Sequence, residues 1–103
     1  MKSVNNITYD TKVLAHFCLR HHIQKFSFFG SILRDDFNEE SDIDVLVEFE
    51  EGNIPGFFTI FDMEIELTYI LGCKKADIRT VLDLSRYFRD DVLSNMRVLY
   101  EAK

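Results

Sequence analysis

The chain has 103 residues, of which 47% are hydrophobic and 29% are charged, and its formal net charge of −6 goes with an isoelectric point near 4.9. Such an acidic balance disfavours a long nucleic acid as substrate, because neutralising a phosphate backbone usually requires a basic face. No apolar run approaches the roughly 20 residues of a membrane span, and the N-terminus lacks the apolar core of a signal peptide. Cys18 and Cys73 have neither disulfide-like nor metal-like spacing. We therefore expect one cytoplasmic domain, residues 1–103, with two reduced thiols.

The first half of the chain predicts a helix, a strand and a second, short helix. Residues that can cap a helix precede apolar residues at helical spacing, and a later apolar run ends at a glycine. The predicted elements are a helix capped by Thr8 or Asp10 that runs to about residue 22, a strand over Ile23–Phe29 ended by Gly30, a short helix from Ser31, and a polar loop over residues 35–41.

A second strand follows this loop, because apolar residues recur there with a period of two. The apolar set is Ile43, Val45, Val47 and Phe49, and the alternating set is Asp42, Asp44, Leu46 and Glu48. One face of the strand should therefore pack on a core, while Asp42 and Asp44 lie together on the other face.

The second half predicts a long helix and one further strand before the chain ends in short elements. The predicted elements are a loop over residues 50–56, a helix over Phe57–Leu71 stopped by Gly72, a strand over residues 76–81, a helix over residues 89–96 and a short last strand over residues 98–100. The long helix is expected to present one apolar face, formed by Ile60, Met63, Leu67, Ile70 and Leu71. Phe57, Phe58 and Phe61 are expected in the core rather than stacked on a nucleobase, and the alternative is that one of them, or Tyr69, contacts a base or a partner. The alternation of helices and strands indicates a sheet covered by helices.

Three aspartates form the candidate metal site. Asp42 and Asp44 are two residues apart on a strand, so both leave the same face, and their mutual repulsion is relieved by a cation. Asp77 lies opposite the apolar side of its own strand and joins them if the two strands are neighbours. Carboxylate oxygens suit Mg²⁺. The simpler alternatives are a solvated strand edge for the pair and, for Asp77, a salt bridge to Lys75 or Arg79.

Gly30 and Ser31 form a candidate phosphate-binding turn. Gly30 lets a phosphate approach the backbone closely, and Ser31 offers a hydroxyl and a free N–H at a helix start. Arg34 lies one turn further along and could reach the same phosphates. The simpler alternative is an ordinary turn capped by Ser31. In that case Arg34 would pair with Asp35 or Asp36.

The spacing of these motifs resembles a known family. Gly-Ser, ten residues and Asp-x-Asp is the signature of the DNA polymerase beta nucleotidyltransferase superfamily, and the segments F-S-F-F before Gly30 and S-D-I-D-V-L-V-E-F from Ser41 look like its minimal nucleotidyltransferases. The resemblance extends over about residues 26–81. It implies an α/β (α+β) fold in which a small mixed β-sheet is flanked by helices.

The resemblance also implies roles for the candidate residues. Asp42, Asp44 and Asp77 would be the catalytic acids and the ligands of two Mg²⁺ ions, and ATP would be held by Gly30, Ser31 and Arg34. Two positions depart from the family's pattern, since Ile32 stands where many members carry a further Arg and Asp35 where many carry Gly. These departures affect the grip on the triphosphate and leave the acids intact.

Minimal nucleotidyltransferases are often the antitoxin of a pair whose toxin is a helical HEPN ribonuclease, and they are similar to enzymes that move AMP from ATP to a tyrosine of that toxin. The resemblance therefore implies a Mg²⁺-dependent protein adenylyltransferase in a hetero-oligomer with a HEPN-type toxin. The alternative is a binding module that neutralises the toxin by contact alone. A transferase acting on transfer RNA or a small drug is disfavoured, because no second substrate-binding domain is predicted.

Overall fold

The computed structural model describes residues 1–102, which form six strands and three α-helices. In chain order they are β1 (Lys2–Val4), β2 (Ile7–Tyr9), α1 (Thr11–Arg20), β3 (Ile23–Phe29), β4 (Ile43–Phe49), α2 (Phe57–Leu71), β5 (Ala76–Arg79), α3 (Arg89–Asn95) and β6 (Arg97–Glu101). Two short 3₁₀ helices, Gly30–Leu33 and Val81–Asp83, follow β3 and β5. Within the described range no helix has the length and apolar character needed to cross a membrane.

Four of the strands form one mixed sheet in the order β5-β4-β3-β6. Strands β4 and β5 run parallel, as expected for two strands joined through a helix, and β3 pairs antiparallel with both β4 and β6. Strands β1 and β2 form a separate antiparallel hairpin. The predicted α/β class, with a small mixed sheet flanked by helices, is confirmed.

The main core lies between one face of the sheet and helices α1 and α2. A chain of edge-to-face aromatic contacts crosses it, with centroid separations of 6.3 Å from Tyr9 to Phe28, 6.2 Å from Phe28 to Phe26 and 6.5 Å from Phe26 to Phe17. These rings connect β2, β3 and α1, and contacts of this geometry add to the free energy of burial. The opposite face of the sheet carries a smaller apolar cluster beneath α3.

Helix α1 starts and helix α2 ends where the sequence signals predict, whereas α1 ends at Arg20 rather than at about residue 22. Asp10 caps α1, because its carboxylate accepts the N–H groups of Lys12 at 2.8 Å and Val13 at 3.4 Å. Gly72 ends α2 in the left-handed conformation, with φ of 64°, which residues with a Cβ rarely adopt. The alternative cap, Thr8, lies in β2 instead.

Some elements differ from those predicted. The β1–β2 hairpin escapes prediction because two three-residue strands are too short to show a polarity period. The helix predicted from Ser31 is a single 3₁₀ turn. Strand β5 ends at Arg79 rather than at the predicted residue 81, because Asp83 accepts the N–H of Thr80 at 2.9 Å and starts a new turn. Helix α3 and strand β6 are present, with ends shifted by one residue.

The prediction that Phe57, Phe58 and Phe61 belong to the core is wrong, because all three are exposed. The face of α2 that packs on the sheet is formed by Met63, Leu67 and Leu71, which are buried. This is the apolar face that helical spacing predicts, and the three phenylalanines lie on the other side of the helix.

The two cysteines are free thiols, Cys18 buried and Cys73 half-buried. Burial raises the pKa of the Cys18 thiol to about 12. The nucleophilic thiolate is therefore scarce at neutral pH, and Cys18 acts as a small apolar core residue.

We expect Asp10→Ala to lower the free energy of unfolding by about 1 kcal/mol, because two N–H groups at the start of α1 lose their acceptor. Urea denaturation would measure the change. Glu51→Ala in the exposed loop before α2 is the control, with an expected change below about 0.5 kcal/mol. Similar losses for the two variants would contradict the capping role.

Candidate active site

Asp42, Asp44 and Asp77, together called the acidic corner below, lie on one face of the sheet where β4 and β5 begin. The parallel register places Asp44 opposite Asp77. Asp42 directly precedes β4, and the next residue, Ile43, donates its N–H to the carbonyl of Lys75 at 3.0 Å. Adjacent strands are about 4.8 Å apart. The structure therefore brings the three predicted acids together.

The electrostatic environment of Asp44 reflects this convergence. Its pKa is raised above the ordinary value of 3.8, first by burial and then by the negative charges of Asp77 and Asp42. The guanidinium groups of Arg79 and Arg34 act in the opposite direction without cancelling the effect. The ionised corner is thus destabilised by its own charges, and a cation bound there would be stabilised by them.

Lys75 also lies at this corner, where one of its two contacts is predicted from the sequence and the other is not. Its Nζ lies 3.8 Å from Asp77 Oδ1, which is the salt bridge considered as the simpler alternative, and also 3.9 Å from Asp42 Oδ2. Lys75 and Asp77 are two residues apart in the chain, so their side chains share a face. The exposed ammonium contributes little free energy, but it partly offsets the repulsion.

The donor set of the corner is compatible with a hard divalent cation, because it consists of carboxylate oxygens. Across residues 1–102, however, no group of three or more His, Cys, Asp or Glu side chains is already arranged to hold a metal ion. A divalent cation bound at the corner would therefore compete with the Lys75 ammonium, which lies 3.8 Å from Asp77 Oδ1 and 3.9 Å from Asp42 Oδ2.

Gly30 is fixed by both its conformation and its surroundings. Its φ is +74°, in the left-handed region, and a Cβ there would lie 2.8 Å from Asp44 Oδ2. Real Cβ atoms essentially never come so close. The glycine therefore allows the turn after β3 to lie directly against the Asp44 carboxylate.

Ser31 connects the same turn to the first acid. Its hydroxyl donates a hydrogen bond to the carbonyl of Asp42 at 3.0 Å. The donor capacity of the hydroxyl is used by this contact, which leaves the backbone N–H for an anion. Ser31 lies in the 3₁₀ helix Gly30–Leu33, which has only four residues. The dipole of this helix therefore contributes less to anion binding than that of a longer helix would.

Arg34 is mainly exposed and its Nε lies 3.5 Å from Asp36 Oδ1, so the pairing considered as the simpler alternative is present. Arg34 also lines, with Gly30, a cleft of about 410 Å³ that α3 closes on the other side. Asp91 and Asn95 are the polar residues that α3 contributes. This cleft adjoins the acidic corner through Gly30, and no sequence signal assigns a function to α3.

A slightly larger cleft, of about 450 Å³, lies between the loop around Phe37 and the end of α2 around Cys73. None of the predicted site residues lines it. Of these two clefts we take the smaller one, beside Gly30, as the candidate nucleotide site, because it adjoins the clustered carboxylates.

Residues 12–103 match the family described as Polymerase beta, Nucleotidyltransferase. The chain belongs to this family and is a nucleotidyltransferase. Within the family, it is 33% identical over 89 residues to MJ0435 of Methanocaldococcus jannaschii, a candidate protein adenylyltransferase, and the match covers 86% of this chain and 92% of that protein.

Solved structures share the fold. A candidate minimal nucleotidyltransferase superposes with a TM-score of 0.66 at 30% identity, over 84% of this chain and 85% of that one. A toxin–antitoxin structure with AMP-PNP superposes with a TM-score of 0.70 at 16% identity, over 91% of this chain and 75% of that one. The second likeness is one of fold alone.

We expect Gly30→Ala to destabilise the protein by about 1–3 kcal/mol for the left-handed conformation, with a further loss from the contact with Asp44. The affinity for nucleotide in the presence of Mg²⁺ should also fall, because the added Cβ displaces the Asp44 carboxylate. Unfolding and calorimetric titration would measure both quantities.

Gly52→Ala is the matched control for this variant, because Gly52 has a φ of +80° and a Cβ added there would meet no atom within 4 Å. It should show the conformational loss and retain nucleotide binding. Equal effects of the two substitutions on binding would contradict a role for the Gly30–Asp44 contact.

Asp44→Asn should raise the melting temperature of the metal-free protein at pH 7, because it removes a half-buried charge from a like-charged cluster. Since the pKa of Asp44 is raised by folding, the destabilisation is absent well below pH 3.8 and grows as the pH rises through the folded-state pKa. The two proteins should therefore converge in stability towards acid pH.

Differential scanning calorimetry in EDTA across this pH range would measure the difference. Asp62→Asn, at an exposed position on α2, is the control and should leave the melting temperature nearly unchanged. A lower melting temperature for Asp44→Asn at pH 7 would mean that the Asp44 carboxylate stabilises the fold.

Proposed function

We propose that this protein transfers AMP from ATP to a hydroxyl group of a partner protein in a Mg²⁺-dependent reaction, and that it thereby acts as the antitoxin of a HEPN-type toxin in the cytoplasm. The observation that carries the proposal is the acidic corner, in which Asp44 lies opposite Asp77 and against a glycine turn that admits no side chain. Membership of a nucleotidyltransferase family supplies the class of reaction.

In the proposed reaction, bound Mg²⁺ supplies the positive charge that neutralises the triphosphate and activates the acceptor hydroxyl. Asp42, Asp44 and Asp77 would hold two such ions. The backbone of Gly30 and Ser31 would hold the triphosphate, and Arg34 would contact it from the side of the α3 cleft.

At the α-phosphorus of ATP, the transfer forms one bond and breaks one. The hydroxyl oxygen of the acceptor bonds to the α-phosphorus of ATP, and the bond from that phosphorus to the bridging oxygen breaks, so that pyrophosphate leaves. The hydroxyl proton passes to a carboxylate of the acidic corner, a role that we assign to Asp77. Asp77 lies on β5, at the edge of the sheet, where an acceptor can approach.

Two comparisons support a protein acceptor. The relative from M. jannaschii is named as a candidate protein adenylyltransferase, and a chain of the same fold is found in a toxin–antitoxin structure with an ATP analogue. By resemblance to the minimal nucleotidyltransferases, the acceptor would be a tyrosine of the toxin.

A second candidate function is an antitoxin that neutralises its partner by contact alone. The observation that favours it is the position of Lys75, whose ammonium bridges Asp42 and Asp77 and already offsets part of their charge. In such a protein the acidic corner would be a remnant that binds no metal.

Incubation of the protein with ATP, Mg²⁺ and a HEPN-type toxin should add one or more AMP units to the toxin, measured by intact-mass spectrometry. Asp42→Asn and Asp44→Asn should reduce transfer by about 100-fold or more, the scale of losing one group that stabilises transition-state charge. EDTA should abolish transfer by the unaltered protein.

The outcomes separate the candidate functions. Full neutralisation of the toxin without a mass change would leave the contact-only antitoxin. Transfer to RNA in preference to the toxin would contradict the proposed acceptor. Transfer by Asp44→Asn at the rate of the unaltered protein would remove the acidic corner from the mechanism.

A further inference from the structure

Helix α2 carries a second apolar face, here called the outer stripe, that is largely exposed to solvent. Its members are large side chains with high exposure: Phe57 (83%), Phe58 (82%), Phe61 (56%), Ile65 (44%) and Tyr69 (82%). At 100° per residue these positions fall within an arc of about 120°. They therefore form one continuous surface rather than scattered exposed residues.

The outer stripe is large enough to matter energetically. Side chains of this size bury about 150–250 Å² each when fully covered, so at the observed exposures the five offer on the order of 600–700 Å². A standard interface buries about 800 Å² on each partner. Contiguous exposed apolar patches of this size often mark interaction sites, whereas single exposed apolar residues are common on any protein surface.

The charges around the outer stripe argue against a second copy as its occupant. Helix α2 carries three acids, Asp62, Glu64 and Glu66, and no basic residue, and the whole chain has a net charge of −6. Asp62 is exposed at the border of the stripe. Glu66 is paired with Arg20 and His21, so the repulsion between two copies comes from Asp62 and from the net charge of −6 that each chain carries. A partner with Lys or Arg around its apolar surface would instead be attracted.

Strand addition at the β5 edge of the sheet is disfavoured as the way in which a partner binds here. The backbone N–H of Ile78, on the open side of β5, donates to Glu64 Oε2 at 2.8 Å. Glu64 thus occupies a donor that an added strand would need. Docking at this side of the molecule must rely on side chains, and the outer stripe supplies them.

The outer stripe is connected to the acidic corner. A cleft of about 220 Å³ separates α2 from β5, and its walls include Phe61 and Ile65 on one side and Lys75 on the other. The ammonium of Lys75 reaches Asp42 and Asp77. A protein that covers the stripe and this cleft therefore comes directly to the edge where the carboxylates lie.

We propose that the outer stripe of α2 is the docking surface for the protein that accepts the nucleotide, and that this partner presents an apolar surface bordered by Lys or Arg. The inference rests on the proposed function, because it assigns docking and modification to the same partner. Docking on α2 places the acceptor hydroxyl on the β5 side of the acidic corner.

The test compares exposed residues inside and outside the stripe. Phe61→Ser and Tyr69→Ala alter the stripe. Leu19→Ser on α1, where the residue is 63% exposed, and Tyr87→Ala, where it is 93% exposed, are the matched controls. All four positions are exposed, so each variant should fold, and near-equal melting temperatures would verify this.

Calorimetric titration of the full chain with a HEPN-type toxin would give the dissociation constants. We expect the two stripe variants to bind at least about 30-fold more weakly than the unaltered protein, and the two controls to bind within about 3-fold. Asp44→Asn should bind the toxin as the unaltered protein does, while its AMP transfer falls by about 100-fold or more. Affinity should fall with rising salt concentration, as required by a basic border on the partner.

Failure of the docking surface and failure of the enzymatic function give different results. Unchanged binding by both stripe variants, or no binding of the toxin by the unaltered protein, would overturn the docking surface. Binding that depends on the stripe, without AMP transfer by the unaltered protein, would overturn the enzyme and keep the docking surface. A dimer of this chain that Phe61→Ser dissociates in sedimentation would assign the stripe to a second copy instead.

Discussion

The in-register parallel pairing of β4 and β5 is the constraint on which the rest of the structure depends. It sets Asp44 opposite Asp77 and thereby holds like charges side by side, an arrangement that disfavours folding. The same pairing buries Val45 and Ile78 on the other face of the sheet, against α1 and α2. Because side chains alternate along each strand, one register both creates the acidic corner and supplies the apolar burial that offsets its repulsion.

The spacing between the Gly-Ser pair and the two aspartates has a physical meaning in this fold. Ten residues allow the chain to leave β3, turn, and return antiparallel in β4, so that Phe29 pairs with Asp44. Gly30 then lies against the Asp44 carboxylate, and Ser31 donates to the carbonyl of Asp42. The turn that could hold phosphate and the acids that could hold metal are therefore built as one unit.

The elements with long periodic patterns were predictable. Strands β3 and β4 and helix α2 have the predicted bounds, because seven to fifteen residues of consistent period leave little ambiguity. The hairpin β1–β2 has three residues in each strand and no such signal. The sequence names Lys75 as a candidate partner of Asp77, but its contact with Asp42 could not be predicted, since that contact depends on the relative position of two strands that are distant in the chain.

The orientation of α2 shows a different limit of sequence reasoning. It also gives the protein an exposed aromatic surface beside β5. Helical spacing predicts the face with Met63 and Leu67, but because apolar residues occur around most of this helix it does not show that Phe58 and Phe61 stay exposed. Burying both faces would require a second layer, which the described residues do not form. Glu64 lies between the two faces and accepts the N–H of Ile78, next to Asp77 on β5. The exposed aromatic surface and the strand that carries the third acid are therefore connected by a hydrogen bond as well as by the short segment after Gly72. A protein bound to that surface would be held in a defined position relative to Asp77, without any movement of the sheet being required.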